Sequence, residues 1–199
     1  MNINYEQLTE DLISSFTVYH GLLDIPINGL IWENLLYASL KKQSNDVVWN
    51  YKSHQTGADI NYENYSISCK GGRLQGSKKD RLKISSYRTT SYKTIEEKLE
   101  YFDENHEDVY FCMSYEETKN KHKYKLFTFD SDILDYKKLN WQKTKRGWKG
   151  EGKFLAKIES SMSDQLWLWL PIKILTKQFD ICVEKNNKYG SINTIEHLV

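Results

Sequence analysis

The sequence predicts an α/β fold built as one domain of 199 residues. Apolar side chains recur with helical spacing over residues 4–19 and again over residues 30–41. Segments that alternate like β-strands follow, beginning with a hairpin within residues 56–72. The length is ordinary for a single domain, and 14 Tyr and 6 Trp provide apolar surface for a sizeable core. We find no internal repeat and no convincing domain boundary.

Composition argues against a membrane protein and against a disulfide framework. The chain has no apolar run of membrane-spanning length and no signal peptide at its N-terminus. Its three cysteines, Cys69, Cys112 and Cys182, are widely spaced, and no pair has the spacing of metal ligands. We therefore expect reduced thiols in a cytoplasmic protein that does not associate with membranes.

The distribution of charge is more informative than the net charge of +1. Residues 70–93 contain eight Lys or Arg against the single acid Asp80, and residues 137–157 contain eight against Glu151. Two basic segments in a near-neutral chain favour a charged cleft over a uniformly basic surface. Either segment alone would be more typical of a solvated loop.

The hairpin carries the strongest candidate for a functional site. A two-residue turn at Glu63-Asn64 places Asp59 opposite Ser68 and puts both on the same polar face as Lys70. Opposed and diagonal side chains lie about 5 to 8 Å apart, so the Asp59 carboxylate and the Lys70 ammonium can meet. Asp59 and a strand carbonyl offer the oxygen ligands that a hard cation needs. The hairpin alone is explained equally well by an ordinary half-exposed sheet.

Two glutamates are candidates for the functional site, and each also has a purely structural explanation. Glu33 lies about one turn into the second helix, where it either reaches the hairpin site or simply favours the helix N-terminus. Glu97 follows Thr94 at the spacing of a capping box, which predicts that it serves the start of a third helix.

Taken together, these features resemble the PD-(D/E)xK nuclease superfamily, and the type II restriction endonucleases of bacteria most closely. The resemblance rests on Glu33, the run Gly57-Ala58-Asp59, the strand ending Ser68-Cys69-Lys70 and the basic segment that follows. By motif it covers about residues 30–72. It implies a restriction-endonuclease-like core, with a central mixed β-sheet flanked by α-helices. Residues 1–199 would then form a single nuclease domain with its catalytic core at about 30–130.

The resemblance also assigns roles to individual residues. Asp59 matches a magnesium ligand, Lys70 the motif lysine, and Glu33 a glutamate that many members place on the preceding helix. The backbone carbonyl of Cys69 would complete the Mg²⁺ ligands. Ser68 stands where the motif has Asp or Glu, so a carboxylate must come from elsewhere. Glu33 is the first candidate for that role and Glu97 the second.

The implied activity is Mg²⁺-dependent hydrolysis of phosphodiester bonds in specific double-stranded DNA sequences by a homodimer. The alternatives are a repair or junction-resolving nuclease of the same fold, and a non-catalytic DNA-binding module, which Ser68 favours. Residues 136–183 are expected to contact DNA and complete the sheet. Aromatic residues there, Trp141 and Trp148, stack on bases or, as we favour, anchor the segment on the core.

Two groups of residues are predicted to contact DNA. The first is basic and follows the hairpin; the second is rich in hydrogen-bond donors and suits base edges or phosphates. The same Ser-Asp-Gln run also suits simple capping. The first group comprises Arg73, Lys78, Lys79, Arg81 and Lys83, and the second comprises Arg88, Thr89, Thr90, Ser163, Asp164 and Gln165.

Overall fold

A computed structural model describes residues 2–50, 58–160 and 163–185 as a mixed α/β structure. Over these residues it has three α-helices, α1 (Tyr5–Leu22), α2 (Gly29–Lys41) and α3 (Ile95–Glu104). Short 3-10 helices occupy Ser131–Ile133, Tyr136–Lys138 and Ile172–Ile174. Gly57 lies outside the described residues.

Eleven strands within these ranges form one sheet. They are β1 (Val47–Trp49), β2 (Ile60–Tyr62), β3 (Tyr65–Gln75), β4 (Arg81–Arg88), β5 (Val109–Glu117), β6 (Lys121–Asp130), β7 (Asn140–Thr144), β8 (Gly147–Glu151), β9 (Leu155–Glu159), β10 (Gln165–Pro171) and β11 (Lys177–Glu184). The order is β11-β6-β5-β3-β4-β10-β9-β8-β7. Outside this order, β2 pairs with β3 and β1 pairs with β2. Strands β3 and β5 are parallel and the other pairs are antiparallel.

The predicted mixed sheet with flanking helices is therefore confirmed. Each face of the sheet carries its own hydrophobic core. Alternate β3 residues such as Ile67 and Cys69 pack with α1 and α2 in the first core. On the opposite face, Leu82 and Ile84 of β4 pack with Phe102 of α3 in the second core. Because strand side chains alternate between faces, β3 contributes to both layers and holds them in register.

Local sequence signals explain where the helices begin. Asn4 and Asn28 accept hydrogen bonds from the backbone of the first turns of α1 and α2. Thr94 and Glu97 form the predicted capping box at α3. Helix α1 runs on to Leu22, past the end expected at His20-Gly21.

The hairpin register is as predicted from the two-residue turn. Tyr62 pairs with Tyr65 and Ile60 with Ile67, while Glu63 adopts a left-handed φ of 53° at the turn. Strand β3 continues through Gly71 and Gly72 to Gln75, so that only residues 76–80 connect it to β4.

Residues 136–157 are largely regular structure, forming the β7–β8 hairpin and the start of β9. Gly150 has a role in packing there, since a Cβ atom would lie 2.8 Å from the Trp141 ring. Gly150 thus allows a close contact between the strand and the indole, although a glycine in a sequence also indicates a loop. Strands β7 to β11 extend the sheet.

Two bulk expectations concern membranes and thiols. None of the described helices is long and apolar enough to span a membrane. Cys69 and Cys112 are buried thiols, and Cys182 is partly exposed.

The adjacent Gly71 and Gly72 provide a matched test of packing between β3 and β4. We expect Gly72→Ala to destabilise the fold by about 1–3 kcal/mol, because its Cβ would lie 2.8 Å from Leu82 and 3.2 Å from the Lys83 carbonyl. A Cβ at Gly71 meets no atom within 4 Å, so Gly71→Ala should leave stability unchanged or slightly increased. Urea unfolding midpoints measure both, and equal midpoints would contradict this account.

Candidate functional site

The candidate site lies where β2 and β4 separate from the same edge of β3. Strand β2 pairs with β3 up to Ile67, and β4 begins to pair at Gly72. Between these points β5 continues along the opposite edge. The segment from Ser68 to Gly71 therefore borders an opening in the sheet, which we call the fork.

Asp59 is fixed at the fork by hydrogen bonds to β3. Its Oδ2 accepts the Cys69 backbone N–H at 2.6 Å and the Ser68 hydroxyl at 3.4 Å. Its own N–H donates to the Ile67 carbonyl at 2.9 Å. A carboxylate thus substitutes for the strand partner that Cys69 lacks on this edge.

Lys70 meets Asp59 as the hairpin register predicts. The Lys70 Nζ lies 3.7 Å from Asp59 Oδ2, and the side chains are 26% and 23% exposed. That distance is too long for a good hydrogen bond but short enough for a direct electrostatic contact. Both groups remain accessible to a ligand that enters the fork.

The Cys69 carbonyl is expected to face the same opening. In a β-strand, the N–H and C=O of one residue point to the same edge of the sheet. The Cys69 N–H points toward Asp59, so its carbonyl oxygen joins the oxygen atoms around the fork. The Cys69 thiol is buried with the first core.

Glu33 approaches this group from α2. Burial raises the pKa of its carboxyl group, the Asp59 carboxylate raises it further, and Lys70 lowers it. Glu33 is the fifth residue of α2, and the first turn of that helix has no acidic residue. The helix-terminus explanation is correspondingly weaker, because the effect of the dipole falls off within the first turn.

Glu107 is an acid that sequence reasoning missed. It immediately precedes Asp108 and β5, is 7% exposed, and accepts a hydrogen bond from the Tyr110 hydroxyl. Burial raises the pKa of its carboxyl group, Lys70 lowers it, and Asp59 raises it. No short sequence motif links residue 107 to Lys70, since parallel pairing of β3 with β5 brings the two segments together.

Glu97, the second candidate for the missing carboxylate, is occupied elsewhere. Its Oε2 accepts the backbone N–H groups of Lys93 and Thr94 at 2.7 and 3.0 Å. These bonds hold the pKa of Glu97 below its ordinary value. The residue serves the α3 cap, as its spacing predicted.

The oxygen atoms at the fork suit a hard cation. The Asp59 carboxylate disfavours the charged form of Glu33 and raises its pKa, which is the situation that a bound divalent ion relieves. Within the described part of the chain, no three Asp, Glu, His or Cys side chains cluster as a ready metal site. Two carboxylates, one carbonyl and several waters match the ligand set typical of Mg²⁺.

The basic residues predicted to contact DNA lie mainly along the β3–β4 hairpin. Arg73 pairs with Lys83 across the strands, and Arg81 begins β4. Gln75 is five residues beyond Lys70, so the hairpin extends about 17 Å from the fork. Near its tip, Lys78 is exposed and Lys79 forms an ion pair with Glu116 at 2.7 Å.

The donor-rich group lies at the other end of β4, beside the fork. Continuing the β3–β4 register would place Ser86 opposite Lys70 and Arg88 opposite Ser68. Arg88 and Thr90 are exposed and Ser163 is partly exposed. These three residues are therefore well placed for a ligand that reaches the site.

Thr89 and Asp164 are instead joined by a buried lysine. Lys98 Nζ is 2% exposed and contacts Asp164 Oδ2 at 2.6 Å, the Thr89 carbonyl at 2.7 Å and the Tyr92 carbonyl at 2.5 Å. Thr89 is fully buried, and both its N–H and its hydroxyl donate to the Asp164 carbonyl. Burial corrects the assignment of Thr89 to base contact, and the Asp164 carboxylate is committed to Lys98.

Gln165 is likewise engaged within the protein. Its amide nitrogen donates to the carbonyls of Ser86 and Tyr87 at 2.9 and 3.0 Å, and its oxygen faces Arg88 Nε at 3.4 Å. It fixes the position of Arg88, at the irregular start of the β4–β10 pairing.

The favoured structural role of Trp141 and Trp148 fits the geometry. Both rings pack against the second core, and Trp141 Nε1 donates to the Tyr136 carbonyl at 2.9 Å.

Comparison with known proteins adds no relative. The chain matches no protein-family model, no curated protein sequence and no solved structure.

The raised pKa of Glu33 predicts a pH-dependent stability. Its folded pKa lies above its ordinary value of 4.5, so the protonated form stabilises the fold and that stability is lost as pH rises. In EDTA, Glu33→Gln should raise the urea midpoint at pH 7 and have little effect at pH 4. Glu97→Gln is the control of opposite sign, because the pKa of Glu97 is lowered and its loss should destabilise at pH 7. A lower midpoint for Glu33→Gln at pH 7 would refute the electrostatic description.

Proposed function

We propose that the chain is a Mg²⁺-dependent DNA endonuclease of the PD-(D/E)xK superfamily, acting as a type II restriction endonuclease. The observation that carries this proposal is the contact of Asp59 with Lys70 at the fork, 3.7 Å apart. A carboxylate and an ammonium at the end of a hairpin, near a helical glutamate, form the arrangement expected for this chemistry.

The metal ligands in this proposal are Asp59, Glu33 and the Cys69 carbonyl. Bound Mg²⁺ would supply a more acidic water and stabilise negative charge at the scissile phosphate. The Ser68 hydroxyl and the Cys69 N–H hold Asp59 in one orientation, so they preorganise the carboxylate before any ligand arrives. Ser68 thus contributes by positioning, and Glu33 provides the carboxylate missing at position 68.

Lys70 provides positive charge to the reacting phosphate. Its ammonium donates hydrogen bonds to the attacking water or to a phosphate oxygen as negative charge develops. Asp59 at 3.7 Å leaves these hydrogens without a tight acceptor. The ammonium is therefore free to turn toward a substrate in the fork.

The substrate is double-stranded DNA of a specific sequence, cut by a homodimer in the cytoplasm. Support comes from the positive residues of the β3–β4 hairpin and from Arg88, Thr90 and Ser163 beside the fork. Phosphate contacts position the duplex and base contacts specify the site.

A repair or junction-resolving nuclease is the second candidate. It is favoured by two partly exposed tryptophans, Trp167 and Trp169, on the basic side of the sheet. Exposed indoles suit unpaired bases better than plain duplex.

Loss of either member of the central pair should abolish cleavage. Asp59→Asn keeps an acceptor for the Cys69 N–H but removes the charge, and Lys70→Ala removes the ammonium while leaving the metal ligands. We expect both to lose plasmid cleavage in Mg²⁺, by at least two orders of magnitude. Wild-type cleavage should disappear in EDTA. Calorimetry should show that metal binding weakens in Asp59→Asn and persists in Lys70→Ala.

A second cross-strand pair provides the control. Lys125 and Asp180 form an Asp–Lys contact of 3.1 Å between β6 and β11, in the same sheet. Lys125→Ala and Asp180→Asn should cleave at the wild-type rate. Magnesium-dependent cleavage that survives in Asp59→Asn would end the proposal.

Glu33 provides the sharper test, because Ser68 leaves the metal one carboxylate short. Glu33→Ala should lower the cleavage rate by orders of magnitude and weaken Mg²⁺ binding, while Glu97→Ala should weaken only the α3 cap and leave cleavage unchanged. Cleavage assays at several Mg²⁺ concentrations separate weak metal binding from slow chemistry. Near wild-type cleavage by Glu33→Ala would exclude it and direct attention to Glu107.

A further inference from the structure

Strands β3, β4, β10 and β9 present a continuous basic and aromatic surface. It lies on the same side of the sheet as α1 and α2, which cover the neighbouring part of that side. We call it the tryptophan face, and it consists of Arg73, Lys83, Trp167, Trp169 and Lys157. Cross-strand pairing places Arg73 beside Lys83, Lys83 beside Trp169, and Trp167 beside Lys157. Arg73 is exposed and the other four side chains are partly exposed.

The residues that alternate with them are buried in the second core. Leu166, Leu168 and Leu170 of β10 are fully buried, so strand alternation directs both tryptophans to the opposite side. Tryptophan in that position is unusual for a solvated sheet surface, where polar side chains prevail. Core packing therefore does not account for these two indoles.

The positive charges lie directly against the indole rings. Lys83 Nζ is 4.2 Å from the Trp167 ring centre and 4.9 Å from that of Trp169. Lys157 Nζ is 5.2 Å from the Trp169 ring. Trp169 Nε1 donates to Gln75 Oε1 at 2.7 Å, which fixes the plane of that indole. The face thus combines oriented aromatic rings with ammonium groups at stacking distance.

A groove beside this face extends to Gly71, the last residue of the fork. A cavity of about 560 Å³ is lined by Trp167, Lys83 and Arg73 on one side, and by Gly29 at the start of α2 on the other. Gly71, the residue after Lys70, also lines it. The elements that carry Glu33 and Lys70, α2 and β3, therefore both border the groove.

We propose that the tryptophan face binds single-stranded DNA, with bases stacking on Trp167 and Trp169 and phosphates contacting Arg73, Lys83 and Lys157. A duplex hides the faces of its bases, whereas an unpaired strand exposes them together with a regular row of phosphates. The basic charge of the face matches that backbone. Glu151 and Glu159 lie at one side of the face, on β8 and β9, and Glu151 pairs with Lys149. Glu116 and Asp180 share a pocket with Arg73 at the other side, where they pair with Lys79 and Lys125.

This inference goes beyond the duplex cleavage proposed above and does not require it. Binding is measured in EDTA by fluorescence anisotropy, with a labelled 20-residue oligothymidylate and a labelled 20-base-pair duplex. Trp167→Ala and Trp169→Ala should each weaken single-strand binding about tenfold, and Trp169→Phe should retain most of it. Duplex binding should change less than twofold. Indole fluorescence should be quenched by the oligothymidylate in the wild-type protein.

Lysines on opposite faces of the same sheet provide the charge control. Lys157→Ala removes a charge from the tryptophan face, whereas Lys143→Ala removes one near Trp148, 5.9 Å from its ring, on the opposite face. Only the first should weaken oligothymidylate binding and reduce its dependence on salt. Circular dichroism and urea midpoints identify any tryptophan variant that fails to fold, and the comparison of Lys157→Ala with Lys143→Ala then decides the outcome in its place.

Equal losses for duplex and single strand, or no loss with either, would overturn the inference. Its outcome is separable from that of the endonuclease proposal. A protein that binds oligothymidylate in this pattern but never cleaves duplex in Mg²⁺ supports the face and refutes the endonuclease. A protein that cleaves duplex while its tryptophan variants bind oligothymidylate normally does the reverse.

Discussion

The hydrogen bond from the Cys69 N–H to the Asp59 carboxylate is the contact on which the fork depends. Strand β2 stops pairing with β3 before Cys69, and a backbone N–H left unpaired inside a protein costs about 1–3 kcal/mol. Asp59 satisfies that group with a side-chain oxygen at 2.6 Å, so the sheet can open without losing a bond. The same carboxylate is thereby held within 3.7 Å of Lys70. Opening the sheet and placing a charged pair at the opening are consequences of one interaction.

Lys98 of α3 likewise holds two segments together, just beyond the end of β4. Its ammonium is almost completely buried yet contacts the Asp164 carboxylate and the carbonyls of Thr89 and Tyr92. A buried charge is tolerated only when it is paired and its hydrogens are satisfied. The two segments that lead to Arg88 and Ser163 are consequently tied to α3. The exposed donors Arg88 and Ser163 thus belong to segments that Lys98 holds in place, whereas Thr89 and Asp164 are engaged with Lys98 and are not available to a ligand.

Much of this architecture was predictable from the sequence because it is set locally. The two-residue turn at Glu63-Asn64 specifies the hairpin register and with it the meeting of Asp59 and Lys70, and Thr94 with Glu97 specifies the α3 cap. The environments of Glu107 and Thr89 were not predictable, because they depend on parallel pairing of β3 with β5 and on hydrogen bonds to Asp164, 75 residues from Thr89. Trp167 and Trp169 were overlooked since an apolar run such as residues 166–170 does not reveal which of its faces is buried.

Among the described strands, β3 and β5 form the one parallel pair, and this pair has a consequence for how the chain folds. Strand β3 reaches β5 only after β4 and α3 have been traversed, so Ile67 pairs with Val109 across 42 residues of sequence. The β2–β3 hairpin closes locally, on a timescale of about microseconds, whereas the β3–β5 pairing must first overcome the entropy of closing a long loop. Half of the fork is therefore expected to form early, and Glu107 joins its surroundings only at the step that completes the centre of the sheet.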